Sequence, residues 1–278
     1  MDNIEYRSEY DGASDAPSVS GSVLEPRPAG PASRFARHFH RPISAWAATT
    51  FLGWIVMASI LIGLGLLLVS EFLQDGVGAW DRSVATWFVA QRTDALNSVT
   101  AVGSMMGSTF VVIGIAVVVG IVLAFRRHWL AIGFLAAALL IEVGAFLATA
   151  FVVSRPRPAV PQLDVAPPTS SFPSGHTAAA LVLYASLAII VWTLTDSRVL
   201  RFLFGALAVL VPIFVALSRL YRGMHHATDV LGSVVLGLGA LVCAVIVTRV
   251  TTAATVTRVR QHAEASPETS TMEPGVSV

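Results

Sequence analysis

The stretch "SSFPSGHTAAALVLYASLAIIVWTL", residues 170–194, decides the fold, because a turn of small and polar residues leads directly into a long apolar segment. A helix that crosses a membrane needs about 20 mostly apolar residues, since no water is present there to satisfy its backbone groups. The apolar part of this stretch is long enough and carries no charged residue after His176. We therefore predict a membrane helix over 175–194 with a titratable ring in its first turn.

The composition of the whole chain agrees with a membrane protein. Of its 278 residues, 55% are hydrophobic and 13% are charged, which excludes an ordinary soluble domain. We predict an all-α, polytopic membrane helix bundle in which 43–252 form the membrane domain, and 1–42 and 253–278 are disordered cytoplasmic tails. The six predicted transmembrane helices lie at about 44–70, 98–124, 129–153, 175–194, 200–219 and 228–249.

Charge and cysteine content exclude several other classes. The formal net charge is +1, and no basic stripe remains for a nucleic-acid partner. All 18 residues in the Lys+Arg count are arginine. The single cysteine, Cys243, excludes an intrachain disulfide and a cysteine zinc site.

The arginines also predict the orientation in the plasma membrane, because short cytoplasmic loops retain positive charge. One side of the predicted bundle, which we take as cytoplasmic, carries both termini and these arginines: Arg34, Arg37, Arg41, Arg126, Arg127, Arg198, Arg201, Arg249, Arg258 and Arg260. Four arginines on the opposite face break this rule and require another reason: Arg155, Arg157, Arg219 and Arg222.

Three segments meet on that outer face: "SRPRP" (154–158), "PSGH" (173–176) and "SRLYRGMHHATD" (218–229). Together they supply arginines, histidines, a carboxylate and the N-terminus of a helix. The free N–H groups of a helix N-terminus favour an anion, and guanidinium groups bind phosphate in a bidentate manner. The face therefore predicts a phosphate site.

The histidines favour catalysis over binding alone. Asp229 lies four residues after His225 and three after His226, so on a helix its carboxylate can hold either imidazole N–H and leave the other nitrogen as a nucleophile. The spacing does not choose between the two. His176 comes from a different loop and can protonate a leaving oxygen. This arrangement suits in-line phosphoryl transfer without a metal or other cofactor.

In order and topology the three segments resemble the type 2 phosphatidic acid phosphatase superfamily of integral membrane lipid phosphatases. That family's SR-x5-H-x3-D motif matches from Ser218 to Asp229 and selects His225, and its PSGH motif matches in full. The resemblance implies a phosphohistidine intermediate on His225, oriented by Asp229, with His176 as general acid. It also implies phosphate binding by Arg157, Arg219, Ser174 and Gly175, to which we add Arg155.

One position departs from the family pattern. The first motif of the family begins with a lysine seven residues before the arginine, and that position is Ala150 here. A lost charge-assisted hydrogen bond costs roughly 1.5–3 kcal/mol. Either Arg155 or Arg222 replaces the charge, or the substrate differs from the usual one.

The resemblance implies hydrolysis of a lipid phosphate, either a phosphatidic acid-like monoester or a polyprenyl pyrophosphate, on the outer face of the membrane. Two alternatives use the same scaffold: a non-catalytic protein that binds or transports lipid, and a phosphotransferase with another acceptor. Related soluble haloperoxidases share the motifs but not the six spans. The sequence does not indicate an oligomeric state.

Three features outside the motifs also carry expectations. Glu142 lies within a predicted span, where a carboxyl group is either functional or paired. The segment 71–97 is either an amphipathic surface helix or an exposed loop. Gly103 and Gly107 form a GxxxG pattern that indicates close helix packing.

Overall fold

The structure is a computed structural model that describes residues 24, 30–39, 41–72, 74 and 76–265. All regular secondary structure within these ranges is helical. In chain order the helices are α1 (Pro31–Ala36), α2 (Pro42–Leu67, continued by a π-helical turn at Leu68–Phe72), α3 (Gly76–Ala90), α4 (Asp94–Met106), α5 (Thr109–Phe125), α6 (Trp129–Val153), α7 (Gly175–Leu194), α8 (Arg198–Tyr221) and α9 (Ala227–Ala265).

The membrane helices confirm the predicted helical bundle, with one difference in the second span. Five helices of the described chain are long and apolar enough to cross a membrane, and a sixth span forms if α4 and α5 are taken together. The continuous helix predicted over 98–124 is wrong, because α4 and α5 meet at an angle of 48°. The break lies at Gly107 and Ser108, where glycine is a weak helix former and Ser108 is the N-cap residue of α5.

The two glycines of the GxxxG pattern confirm the expected close packing. A Cβ atom on Gly103 would lie 2.1 Å from Oγ of Ser218 in α8. A Cβ atom on Gly107 would lie 2.6 Å from the carbonyl oxygen of His176. The bend between α4 and α5 therefore sits directly against the start of α7.

The membrane helices pack around one apolar core. Helices α2, α6 and α9 pack against one another, and α7 packs mainly against α8 and α9. The core contains the following fully buried apolar side chains: Leu61, Phe134, Ile141, Leu183, Val215 and Leu236.

Three helix ends bring the motif segments to the same end of the bundle. Helix α6 ends at Ser154, which has a left-handed φ of 47°, and the prolines after it cannot continue a helix. The loop 154–174 then leads to the first turn of α7. After α8, Gly223 adopts a φ of 71° and turns the chain into α9. We call this end of the bundle the site end.

Helix α3 confirms the amphipathic helix for the middle of the segment 71–97, and the exposed-loop alternative is wrong for these residues. Its tryptophans Trp80 and Trp87 are 48% and 59% exposed, as expected for a helix at the membrane surface. Asp81 faces the other way and is buried.

Both predicted tails contain helix where the structure describes them. Helix α1 lies within 1–42, and its Ala36 packs against Ala45 of α2 and against Val250, Ala253 and Ala254 of α9. Helix α9 continues to Ala265, beyond the boundary predicted at 252. The rest of the two predicted tails, apart from Leu24, lies outside the described residues.

Candidate active site

One cavity at the site end brings together residues from separate stretches of the chain. Its volume is about 710 Å³. Gly175 and His176 reach it from the first turn of α7, Arg219 from the last turn of α8 and His225 from the turn before α9. Arg157 joins them from the loop after α6. These five predicted site residues line one continuous space.

His225 presents its ring to the cavity with one nitrogen already bonded. Its Nδ1 atom lies 2.8 Å from the carbonyl oxygen of Ser171. Because a carbonyl oxygen only accepts, Nδ1 carries the proton in this contact and Nε2 keeps its lone pair. Burial lowers the pKa of His225 below its ordinary value, although the neighbouring Asp229 carboxylate acts in the opposite direction. The lowered pKa favours the neutral ring, which is the form that can attack phosphorus.

Asp229 lies beside His225 but makes its hydrogen bonds elsewhere. Its Oδ2 atom is 3.7 Å from Nδ1 of His225, which is too long for a hydrogen bond. The same oxygen accepts a hydrogen bond of 2.8 Å from the backbone N–H of His226, and Oδ1 accepts one from Arg155. The imidazole N–H of His225 thus donates to the carbonyl oxygen of Ser171, whereas the sequence spacing predicted that it would donate to the carboxylate of Asp229. Asp229 acts on the ring through its charge.

The two neighbouring histidines, which the spacing alone left as alternatives, occupy different environments. His225 lines the cavity, whereas His226 is absent from its lining. The Nε2 atom of His226 lies 3.3 Å from the carbonyl oxygen of Pro156. His225 is therefore the histidine in position to meet a ligand in the cavity.

Arg157 and Arg219 supply the positive charge of the cavity. Arg157 donates from Nη1 to the carbonyl oxygen of Met224 at 2.8 Å. Arg219 donates from Nη1 to Oγ of Ser104 at 2.6 Å and to Oδ2 of Asp164 at 2.7 Å. In both arginines the Nε–H group is buried and has no partner among the described residues. Such donors suit an anion.

Arg155, which we predicted as a phosphate ligand, does not line the cavity that holds His225. Its guanidinium is buried and donates to Oδ2 of Asp81 at 2.6 Å, to Oγ1 of Thr228 at 2.7 Å and to Oδ1 of Asp229. Two carboxylates thus hold it on the far side of Asp229. Because leaving this pair unmatched inside the protein would be costly, Arg155 is held in a structural role.

The PSGH segment divides between packing and the cavity. Ser174 is fully buried, and its Oγ lies 3.1 Å from Oγ1 of Thr177, so the structure does not place its side chain in the cavity lining. Gly175 does line it, and a Cβ atom there would lie 3.0 Å from the ring of Phe146. His176 follows in the same turn, where the first N–H groups of α7 are free to bind an anion.

Asp164 is a cavity residue that the sequence analysis missed. Its carboxylate accepts from Arg219 and also from Nη2 of Arg222 at 2.6 Å. Burial acts to raise the pKa of Asp164, but the hydrogen bond from Arg222 and the charges of both arginines outweigh it and hold that pKa below its ordinary value. No motif marks Asp164, because it lies in the loop 154–174, whose path the apolar pattern does not predict.

Neither Arg155 nor Arg222, the two arginines that could replace the charge of the family lysine, lines the cavity that holds His225. Arg155 is held by Asp81 and Asp229, and Arg222 is held by Asp164. Ala150 and Arg155 both line a second cavity of about 600 Å³, which shares only Leu147 and Thr169 with the first. Within the described ranges, no group of three or more His, Cys, Asp or Glu side chains could hold a metal ion.

Comparison with known proteins finds a matching family profile over part of the chain. A profile of the PAP2 superfamily matches residues 129–253, which contain α6, α7, α8 and most of α9. A decaprenylphosphoryl-5-phosphoribose phosphatase from Mycolicibacterium smegmatis is 40% identical over 120 residues, covering 38% of this chain and 53% of the relative. The chain thus matches about half the length of that relative.

A solved structure shows the same fold. A transmembrane PAP2 type phosphatidylglycerolphosphate phosphatase from Bacillus subtilis superposes with a TM-score of 0.57 and 23% identity, over 74% of this chain and 94% of that one. LpxE from Aquifex aeolicus superposes with a TM-score of 0.46 and 20% identity, over 59% and 92% of the two chains. The PAP2 superfamily match over residues 129–253 includes the PSGH and SR-x5-H-x3-D residues that lie at the site end.

Proposed function

We propose that this protein is a membrane-embedded phosphatase that hydrolyses the phosphate ester of a lipid through a phosphohistidine intermediate. The observation that carries the proposal is the cavity in which the free Nε2 of His225 meets His176 and two arginines with unpartnered Nε–H groups. The name of the relative from Mycolicibacterium smegmatis, a phosphatase of a polyprenyl-linked sugar phosphate, supports the reaction class.

The proposed chemistry has two steps. Nε2 of His225 attacks phosphorus, a P–N bond forms, and the P–O bond to the lipid alcohol breaks while His176 protonates the leaving oxygen. Water then attacks the phosphohistidine, His176 accepts a proton from that water, and inorganic phosphate leaves with the histidine restored. Arg157, Arg219 and the N-terminus of α7 bind the phosphate oxygens in both steps.

The walls of the cavity favour a substrate that remains in the membrane. One wall comes from α4 and the bend before α5, and the other comes from α6. Apolar side chains line both walls, and three of them, Met105, Val143 and Leu147, are also exposed on the outside of the bundle, where the lipid lies. A lipid can therefore place its phosphate beside His225 while its chain stays in the bilayer. From the arginine distribution we propose that the cavity faces the outside of the plasma membrane.

The test is phosphate release by the full-length protein in detergent, with excess chelator, from phosphatidic acid, lysophosphatidic acid, diacylglycerol pyrophosphate and a polyprenyl pyrophosphate. We expect release from at least one lipid, and a loss of at least about a thousandfold in His225→Ala. His226→Ala is the matched control, because its ring lies next in the chain but outside the cavity. It should retain most of the activity.

Two results would contradict the proposal. The first is equal activity in His225→Ala and His226→Ala, which would exclude a phosphohistidine intermediate on His225. The second is lipid binding with no phosphate release from any lipid, which would favour the binding or transport alternative. If phosphate instead appears on an added alcohol acceptor in preference to water, the enzyme is a phosphotransferase.

A further inference from the structure

Glu142 is a buried carboxyl group that lines the candidate active site and has no part in the proposed chemistry. It lies in the middle of α6 and is 1% exposed. Its Oε2 atom has no hydrogen-bond partner among the described residues. A buried polar atom without a partner is costly, and more so within a membrane span. The side chain nevertheless borders the cavity that holds His176 and His225.

The position of Glu142 along α6 fixes its depth relative to the phosphate site. Gly175, at the N-terminus of α7, packs against Phe146. Glu142 precedes Phe146 by four residues, which at 1.5 Å per residue places its backbone about 6 Å further into the membrane. A phosphate ester held at the start of α7 would therefore place the carbon skeleton next to its ester oxygen near Glu142.

The opposite wall of the cavity is also polar at the helix break. Ser108 and Thr109 line it where α5 begins. Ser108 is the N-cap residue, but its side chain makes no capping hydrogen bond, so its hydroxyl is available. An alkyl or prenyl chain in this part of the cavity would remove these groups and Glu142 from water and provide no hydrogen bonds. Beside the apolar Val143 and Phe146, the lining therefore offers three polar side chains that a hydroxyl-bearing ligand would satisfy.

We propose that Glu142 binds hydroxyl groups on the carbon skeleton that joins the phosphate to the lipid chain. The preferred substrates are then lipids with the phosphate on a sugar or a polyol, rather than directly on a prenyl chain or on diacylglycerol. This inference rests on the proposed function and specifies its substrate class. A site built to hydrogen-bond a hydroxyl discriminates strongly against an analogue that lacks it, because its own polar groups then remain unpaired.

Two matched pairs of synthetic lipids test this substrate class. One pair is dodecyl riboside 5-phosphate and its 2,3-dideoxy analogue, and the other is lysophosphatidic acid and its 2-deoxy analogue. We expect the wild-type protein to show kcat/KM about tenfold to a hundredfold higher for the hydroxylated member of at least one pair. The pair with the larger ratio identifies the source of the hydroxyls as sugar or glycerol.

Two substitutions at Glu142 separate hydroxyl binding from a structural role. Glu142→Leu should reduce the preference for the hydroxylated lipid to about threefold or less, and it suits the membrane environment, so folding is retained. Glu142→Gln should keep most of the preference, because the amide retains a donor and an acceptor. Leu140→Ala is the matched control on the lipid-exposed side of α6, and its preference should equal that of the wild type.

The outcomes distinguish this inference from the proposed function. Hydrolysis of both members of both pairs at equal rates by the wild-type protein would overturn the inference alone. The inference would also fail if Glu142→Leu lowered activity on both members equally, since that result indicates a general structural effect. Release from phosphatidic acid or a polyprenyl pyrophosphate, with none from these four lipids, would also overturn the inference alone. Absence of release from every lipid in both panels would overturn the proposed function, and the inference with it.

Discussion

Arg155 and Arg157 are two residues apart in one short motif, yet the structure gives them opposite surroundings. Arg155 is 2% exposed, and three side chains accept hydrogen bonds from it. Arg157 is half-buried at the cavity, and its Nε–H group has no partner among the described residues. The same residue type therefore serves as an internal counter-ion at one position and as a free donor at the other.

The difference arises from the acidic residues near each arginine. Asp81 on α3 and Asp229 on α9 both contact Arg155, and these two carboxylates accept hydrogen bonds from its Nη2 and Nη1 atoms. Asp164, the carboxylate that lines the cavity, is bonded to Arg219 and Arg222 and leaves Arg157 without an ion pair among the described side chains. A phosphate in the cavity would supply the negative charge that Arg157 lacks.

The largest difference that we expect between substitutions of Arg155 and Arg157 is in protein stability. Arg155→Met removes the cation between two buried carboxylates and should lower the free energy of unfolding by about 3–5 kcal/mol. Arg157→Met should lower it by at most about 1 kcal/mol, because only a partly exposed hydrogen bond is lost. Unfolding of both full-length variants in the same detergent measures the difference. Equal losses would show that the two arginines do not differ in role.

The next effect is on catalysis. Arg157→Gln should reduce kcat/KM for the best lipid substrate by about tenfold to a hundredfold, since one charge-assisted hydrogen bond to phosphate is worth about 1.5–3 kcal/mol. Arg157→Lys should fall in between, because it keeps the charge and loses the planar fork. Steady-state kinetics gives these values, and thermal unfolding of the same samples provides the control. If Arg157→Gln showed the kinetics of the wild-type protein, Arg157 would not bind the phosphate.

The sequence predicts where the site lies better than it predicts which group contacts which. Helix topology brings PSGH and SR-x5-H-x3-D to one end of the bundle, so the shared location of His176, Arg219 and His225 follows from the apolar runs and the motif spacing. The partners of Arg155 do not follow, because Asp81 and Asp229 are each 74 residues away in the chain. Loops of irregular path bring such groups together.

The same limit applies to the helices. Hydropathy averaged over a span does not detect the bend at Gly107 and Ser108, since the residues on both sides are apolar. At the other end, the polar composition after residue 252 predicts a tail, but α9 continues there. The threonine hydroxyls of this part of α9 bond to carbonyl oxygens four residues earlier, as at Thr255 and Thr257, and so are satisfied within the helix.

A double substitution would sharpen the comparison by measuring the buried pair itself. In the Arg155→Met background, Asp81→Asn removes one of the two uncompensated charges. We expect the double variant to be more stable than the sum of the single effects predicts, by about 0.5–3 kcal/mol. Asp196→Asn in the same background is the control, because Asp196 forms an exposed ion pair with Arg201 and its effect should be additive. Additivity in both pairs would contradict a direct Asp81–Arg155 interaction.

The smallest expected effect concerns the charge state of His225. Asp229, which forms an ion pair with the buried Arg155, also lies beside this ring. Burial lowers the pKa of His225 and the Asp229 carboxylate partly restores it, so the ring should remain neutral, with the proton on Nδ1, as the pH falls through 6.5. In Asp229→Asn the restoring charge is lost, and the pKa should fall further.

Nitrogen-15 spectra of histidine-labelled protein, assigned with His225→Ala, follow both nitrogens directly across this pH range. A charged His225 ring above pH 6.5 would mean that the carboxylate outweighs burial, and an unchanged or higher pKa in Asp229→Asn would mean that the carboxylate does not act on the ring. In the second case, Asp229 would not connect the buried ion pair with Arg155 to the cavity that holds His225. A neutral ring in both proteins, with the lower pKa in the variant, would show that Asp229 joins the two regions: it binds Arg155 on one side and raises the pKa of His225 on the other.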